Sequence, residues 1–242
     1  MSLSVSAGRD PHLRALLESH PDVLLAPEPR SDRVLAFRQG SWEREVRAGD
    51  HRVEVCGLVE LMDNNPMVCA DVVSVPSVAG TMALIALGPI LRSGMTVEDP
   101  TFQINVDADE DDVAEWLATV GHAGSVTLAT EPQETEIVAA AGMAKIVTPD
   151  RIGDLDDLYD EAFGRSFFVH RDESDFAPDS LIGSPEARFR LRFSEGVEHS
   201  LLAVVVYAWR HGKCGAAQVV HAMNVMAGIE ESVGIGPAPL AR

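Results

Sequence analysis

The chain has 242 residues, 46% of them hydrophobic, and a net charge of −19. This length fits one large domain or two modest ones, and the charge argues against nucleic acid and anionic membrane surfaces, which would both repel it. Cys56, Cys69 and Cys214 are far apart and form no Cys-x-x-Cys pair, a pattern that suits a reducing cytoplasm and offers no zinc motif. Met1 to Arg9 lacks the apolar core of a signal peptide, and no apolar run reaches the roughly 18 residues of a membrane span.

The first 75 residues alternate short strand and helix signals. Leu3 to Ala7 predicts a strand. Pro11 to His20 predicts a helix, with Asp10 as N-cap, Pro11 at the first position and Leu13, Leu16 and Leu17 at helical spacing. Val23 to Leu25, Arg33 to Phe37, His51 to Val59 and Cys69 to Val75 are strand candidates. Ala26 to Asp32 reads as a loop and Asp63-Asn64-Asn65-Pro66 as a turn.

From Pro76 onward the pattern changes. Thr81 to Leu91 is an apolar helix with Gly94 as its C-cap. Phe102, Ile104 and Val106 alternate as a strand. Asp109 to Thr119 is an acidic amphipathic helix whose first residues, within Asp107 to Asp112, favour the helix macrodipole. Ser125 to Ala129 is a strand candidate, and Glu134 to Ala141 and Asp154 to Phe163 are helix candidates. Arg188, Arg190 and Arg192 alternate with Phe189, Leu191 and Phe193 as a half-buried strand, with Leu201 to Ala208 as its hairpin partner. Cys214 to Gly228 closes the chain as an apolar helix, and the Pro- and Gly-bearing tail from Gly234 to Arg242 is expected to be loosely ordered.

Four stretches, in order, carry a resemblance. Val75-Pro76-Ser77-Val78-Ala79-Gly80-Thr81 and the helix after it resemble the Pro-Gly-Cys-Tyr-Pro-Thr turn and following helix of N-acetyl-γ-glutamyl-phosphate reductases. Thr135-Glu136-Ile137 is similar to the end of that family's His-Arg-His-Thr-Pro-Glu-Ile motif. Leu155 to Tyr159, with Phe163 and Phe167-Phe168-Val169, resembles its helix, tyrosine-containing turn and Phe-Val strand. Lys213, Ala216, Gln218, Val220, Met223, Asn224 and Met226 match its closing helix in register. The resemblance covers roughly residues 70–235. It implies an α/β (α+β) fold of the semialdehyde dehydrogenase type: a catalytic and dimerisation domain with a mixed sheet over 76–242, and a sheet-mediated homodimer. The 1–75 segment then reads as an abbreviated Rossmann-like region, because a full nucleotide-binding domain needs about 100–150 residues.

Chemistry is where the chain departs from that family. There a cysteine thiolate attacks an acyl phosphate and a hydride reduces the thioester; here Val78 stands at the nucleophile position. Glu131 and Gln133 fall where the two histidines would lie, and neither supplies a near-neutral acid/base. The turn Ala7-Gly8-Arg9-Asp10-Pro11 has one glycine where a dinucleotide site needs several, and Asp10 would face the pyrophosphate with like charge. No cofactor is therefore expected. NADP enters only under the alternative of a residual reductase with a displaced cysteine.

The remaining candidates are cysteines, histidines and basic residues, most of them in the second half of the chain. Cys69 is a conceivable substitute nucleophile, but a buried cysteine in an apolar strand is the favoured reading. Cys214 opens the closing helix beside Lys213, where a helix N-terminus can activate a thiol, yet packing is favoured there too. His211 and His221 flank this segment, and Arg210, His211 and Lys213 gather positive charge for a carboxylate or phosphate. His221 also reads as a hydrogen-bonded core histidine. His170 and Arg171 are substrate-binding candidates in a run through Asp175 that otherwise reads as a solvated loop without metal-binding spacing. The arginine triplet is the polar face of a strand, or a surface for acidic groups. The resulting expectation is a cytoplasmic, homodimeric protein, repurposed from reductase chemistry to act on or bind a small amino-acid-derived carboxylate near Val78, Gln133, His170, His211 and Lys213. The alternatives are a non-catalytic ligand- or partner-binding paralogue and the residual reductase.

Overall fold

The computed structural model describes residues 2–29, 34–172 and 177–236. Among the described residues, twelve strands and six α-helices follow in chain order: β1 (Leu3–Ala7), α1 (Pro11–Ser19), β2 (Val23–Leu25), β3 (Val34–Gln39), β4 (Trp42–Ala48), β5 (Val55–Cys56), α2 (Asn64–Cys69), β6 (Val72–Val75), α3 (Val78–Arg92), β7 (Thr101–Ile104), α4 (Glu110–Ala118), β8 (Thr127–Thr130), β9 (Ile137–Val147), α5 (Gly153–Phe163), β10 (Val169–Arg171), β11 (Ala187–Ser194), β12 (His199–Trp209) and α6 (Ala217–Ala227). The protein is mixed α/β, with two six-stranded mixed sheets and helices. It divides into two compact units. The first holds residues 1–78, 183–185 and 209–242, and the second holds 79–182 and 186–208. This differs from a single cut at 75/76, because the closing helix belongs with the N-terminal strands.

In the first unit the strand order is β2-β1-β3-β4-β6-β5. β1 pairs parallel with β2 across the α1 crossover, β3 runs antiparallel to β1 and β4, and β6 lies parallel to β4 and β5. α6 packs against β4, β6, α1 and α2. Its small and flexible residues Ala217, Ala222, Met223 and Met226 are buried, which lets the helix approach the sheet closely.

The second unit has the order β10-β11-β12-β9-β7-β8. Helices cover one face. Tyr159 and Phe163 of α5 pack on Phe189 of β11, with ring centroids 5.5 and 5.6 Å away. The Tyr159 hydroxyl donates to the Ala86 carbonyl at 2.6 Å. α3 comes so close to β9 that a Cβ on Gly142 would lie 2.7 Å from Leu87 Cγ, and a Cβ on Gly80 would meet the Trp116 ring of α4.

Several expectations need correction. Glu134 to Ala141 is not a helix; Ile137 onward forms β9, with Val138, Ala140, Gly142, Ala144 and Ile146 buried at period two. Sheet pairing and contact with α3 override the helix preference of alanine. His51 to Val59 supplies only β5 and the start of a 3₁₀ turn, Val59–Leu61. The Asp63–Pro66 turn opens α2, so Cys69 ends a helix and is exposed instead of buried in a strand. Strand β4 escaped prediction because its Glu43, Arg44, Glu45 and Arg47 mask the buried Val46. The closing helix starts late: Gly212–Ala216 is a π turn, and α6 begins at Ala217. His170 and Arg171 lie in β10, not in a loop. Residues 30–33, 173–176 and 237–242, covering parts of the predicted loops and tail, fall outside the described residues.

Candidate functional site

Val78 is the first residue of α3, directly after β6 and the Pro76-Ser77 turn. The Gln218 amide of α6 donates to the Pro76 carbonyl at 3.3 Å and holds this turn within the first unit. The position therefore has the strand–turn–helix setting that suits a nucleophile, but its side chain is an inert isopropyl group. At the other turn of interest, the Leu13 N–H donates to Asp10 Oδ1 at 2.8 Å and Pro11 occupies the first helical position. A carboxylate thus already takes the α1 N-terminus, where a pyrophosphate would need free amides.

The closing segment runs from Trp209 through Arg210 and His211 into the π turn. Gly215 sits there at φ −147°, ψ −120°, and an added Cβ would lie 2.7 Å from the Arg210 carbonyl oxygen. Lys213 is 1% exposed, and its ammonium donates to both Glu60 oxygens, at 2.6 and 2.8 Å. His221 is buried beside this pair. Its Nε2 lies 2.9 Å from Glu231 Oε2, and its Nδ1 is 3.9 Å from Glu60 Oε1. Burial pushes the Glu60 carboxyl up, but the charges of Lys213 and His221 and the Lys213 hydrogen bonds outweigh it, so the group stays below the usual glutamate range. The hydrogen bond from His221 holds Glu231 low against its partial burial. Asn224 extends the network: its amide donates to the Glu231 and Val233 carbonyls, and its Oδ1 lies 3.1 Å from His20 Nε2.

Of the residues expected to receive a ligand, Lys213 pairs with Glu60 in the interior and His221 with Glu231. Cys214 is buried, and desolvation pushes its thiol up to about 12 against the opposing influence of Lys213 and Arg210, so the helix start does not activate it. Burial likewise raises Cys56, aided by Asp50. Arg210 is half-buried, and its Nε has no hydrogen-bond partner among the described residues.

His211 has a different setting. Its ring stacks on His12 of α1, with centroids 3.9 Å apart and planes 22° from parallel. Trp209 meets both edge-on, at 5.1 Å from His12 and 5.4 Å from His211. The three rings form part of the wall of a cavity of about 250 Å³ within the first unit. Ala15, Leu16, Pro185 and Ala217 add apolar wall, Ser19 adds one hydroxyl, and Gly212 is among the lining glycines. A side chain at Gly212 would collide with the Ser184 carbonyl, so only glycine permits this close approach.

Three candidates belong to the second unit. Gln133 is exposed after β8, and its N–H donates to the Asn105 carbonyl at 3.0 Å. Asn105 in turn bridges to the Ile137 carbonyl and the Ala139 N–H. Here the chain enters β9, and Gln133 sits in the turn that leads into it. His170 Nε2 lies 3.1 Å from the Phe167 carbonyl. Arg171 pairs with Asp156 of α5 at 2.8 Å. Among the described residues no group of three or more His, Cys, Asp or Glu side chains is placed to hold a metal ion, and no helix is long and apolar enough to cross a membrane.

Sequence reasoning missed His12, Trp209, Glu60, Glu231 and Arg44. Trp209 and His12 had a usable signal: an aromatic beside His211, and a histidine in the first turn of a capped helix. Glu60 carried none, being 153 positions from Lys213. Arg44 is 1% exposed and donates to the carbonyls of Met67, Val68 and Ala70 at the end of α2 and to Met226 near the end of α6. It thereby binds the negative ends of two helices, with Trp42 packed 4.1 Å from its guanidinium carbon. No protein-family model matches this chain, and no curated protein matches it.

Proposed function

We propose that this protein is a divergent relative of the N-acetyl-γ-glutamyl-phosphate reductases and of the wider semialdehyde dehydrogenase group. In this reading it has given up NADP-dependent hydride transfer and binds, or acts on, a small amino-acid-derived carboxylate in the first-unit cavity. The observation that carries the reading is the fate of the closing segment. Lys213 pairs with Glu60, and His211 forms part of a cavity wall with His12. An imidazole pair at a half-open cavity can receive a carboxylate by N–H donation.

Supporting the loss of hydride chemistry are Val78 at the start of α3 and the Asp10 carboxylate capping α1. A displaced thiol finds little support. Cys214 and Cys56 are both held protonated by burial, and Cys69 lies on the exposed end of α2, outside the cavity lining. The homodimer part of the proposal draws on the second sheet. Its helix-free face presents Ala139, Ala141 and Met143 of β9 and Ala203, Val205 and Tyr207 of β12, bordered by Arg188, Arg190 and Arg192. A second copy stacked on this face would bury its apolar centre.

A thermal-shift screen tests the reading. It uses amino acids, their N-acyl and phosphorylated forms, and NADP(H). A ligand that binds only the folded state raises the melting temperature by mass action. The expected result is a rise with carboxylates and none with NADPH; saturable NADPH binding would overturn it.

A further inference from the structure

Resting on the reading of the His12–His211 cavity as a carboxylate site, we infer that its ligand is an aromatic monocarboxylate carrying one hydrogen-bond donor, and not a dicarboxylate or a phosphorylated acid.

Charge sets the first limit. Among the described residues the lining contains no lysine, arginine, aspartate or glutamate, and the titratable groups are His12 and His211. The two imidazoles stack with centroids 3.9 Å apart, so the pair forms one polar patch in an otherwise largely apolar wall. One carboxylate matches that patch. A second carboxylate, or the second charge of a phosphate monoester, would be desolvated against Leu16, Pro185 and Ala217 without a partner.

The wall sets the second limit. Trp209 is 6% exposed and meets both imidazoles edge-on, so its position is fixed by packing as well as by the chain. Aromatic rings favour offset-stacked or edge-to-face partners, and apolar side chains complete the surface. About 250 Å³ suits a single ring with a short acid arm.

Ser19 sets the third limit. Its hydroxyl proton is donated to the Leu16 carbonyl at 2.9 Å, which leaves the oxygen to the ligand as an acceptor. A hydroxyl or N–H on the ligand satisfies it, whereas a further anionic oxygen does not.

The test is calorimetric titration of the full chain at neutral pH with phenyllactate, glutarate and phenyl phosphate. It is repeated on His211→Ala and on Ala15→Trp, which fills the cavity from an exposed position on α1. Circular dichroism verifies that both variants fold. Phenyllactate is expected to bind at least about tenfold more tightly than the two dianions, and both variants to weaken it by about tenfold or more. If glutarate or phenyl phosphate binds as well as phenyllactate, with the same loss in the variants, the ligand class is wrong and the carboxylate site stands. If none of the three binds up to about 10 mM, or the folded variants bind phenyllactate unchanged, the site itself is wrong.

Discussion

The two units handle polar and charged groups in opposite ways. The first unit buries them. Arg44, Lys213, His20, His221, Asn224, Gln218 and Ser74 all lie in its interior, whereas the second unit's buried polar residues among those described are Thr81 and Ser200. The helix-free faces repeat the pattern. In the first unit Ser4, Arg38, Glu43, Glu45 and Arg47 line that face, with Arg38 paired to Glu43 across the β3–β4 ladder at 3.1 Å and Arg47 to Glu45 at 3.2 Å. Charge pairs of this kind leave a face at ease in water. The second unit's face has an apolar centre of Ala, Val, Met and Tyr, with arginines along one strand. A wet face with a charged interior fits a unit that holds a ligand. A dry interior with an apolar face fits one that pairs with another copy.

The comparison breaks most visibly at the faces. Glutamates at Ala141 and Val205 should raise the dimer dissociation constant by roughly a thousandfold or more, read as a shift to monomer by light scattering. Ser4→Glu on the first unit's face should leave the oligomeric state unchanged. A protein that is monomeric before substitution would remove the interface reading.

Inside the first unit, Lys213→Met leaves Glu60 buried without its cation and should cost about 3–5 kcal/mol in chemical denaturation. Replacing both members with apolar residues should cost less than the single change, since neither charge is then stranded. Equal losses would mean that the π turn, and not the ion pair, carries the stability.

Acid should separate the units in the same sense. Glu60 and Glu231 both titrate lower when folded than when unfolded. Their contribution is therefore complete above the ordinary glutamate pKa of about 4.3 and is lost as pH falls through the folded values. Hydrogen exchange below about pH 4 should rise first in residues 59–61 and 212–233, ahead of β11 and β12.

The smallest effect belongs to the second unit's packing. Gly142→Ala places a methyl group against Leu87, and overpacking of this kind costs about 1–3 kcal/mol. A neutral result would show that α3 can shift away from β9.

Local chemistry made much of the fold readable. Asp10-Pro11 announced α1, and the arginine–apolar alternation announced β11, because capping and period-two burial are written in neighbouring residues. What stayed hidden depends on distant partners. β9 looked helical through its alanines, and only the closeness of α3 at Gly142 explains why it is a strand. For the candidate site, His211 was singled out from its place beside Lys213. Glu60, which pairs with Lys213, and His12, which stacks on His211, come from remote parts of the chain.

The proposal to be tested is that a small carboxylate is held in the first-unit cavity. Hydrogen exchange with and without saturating phenyllactate tests it most directly. The account predicts slower exchange in residues 12–19 and 209–217, with the second unit unchanged around Gln133 and His170. Protection confined to Gln133, His170 and Arg171, or none at all, would contradict it.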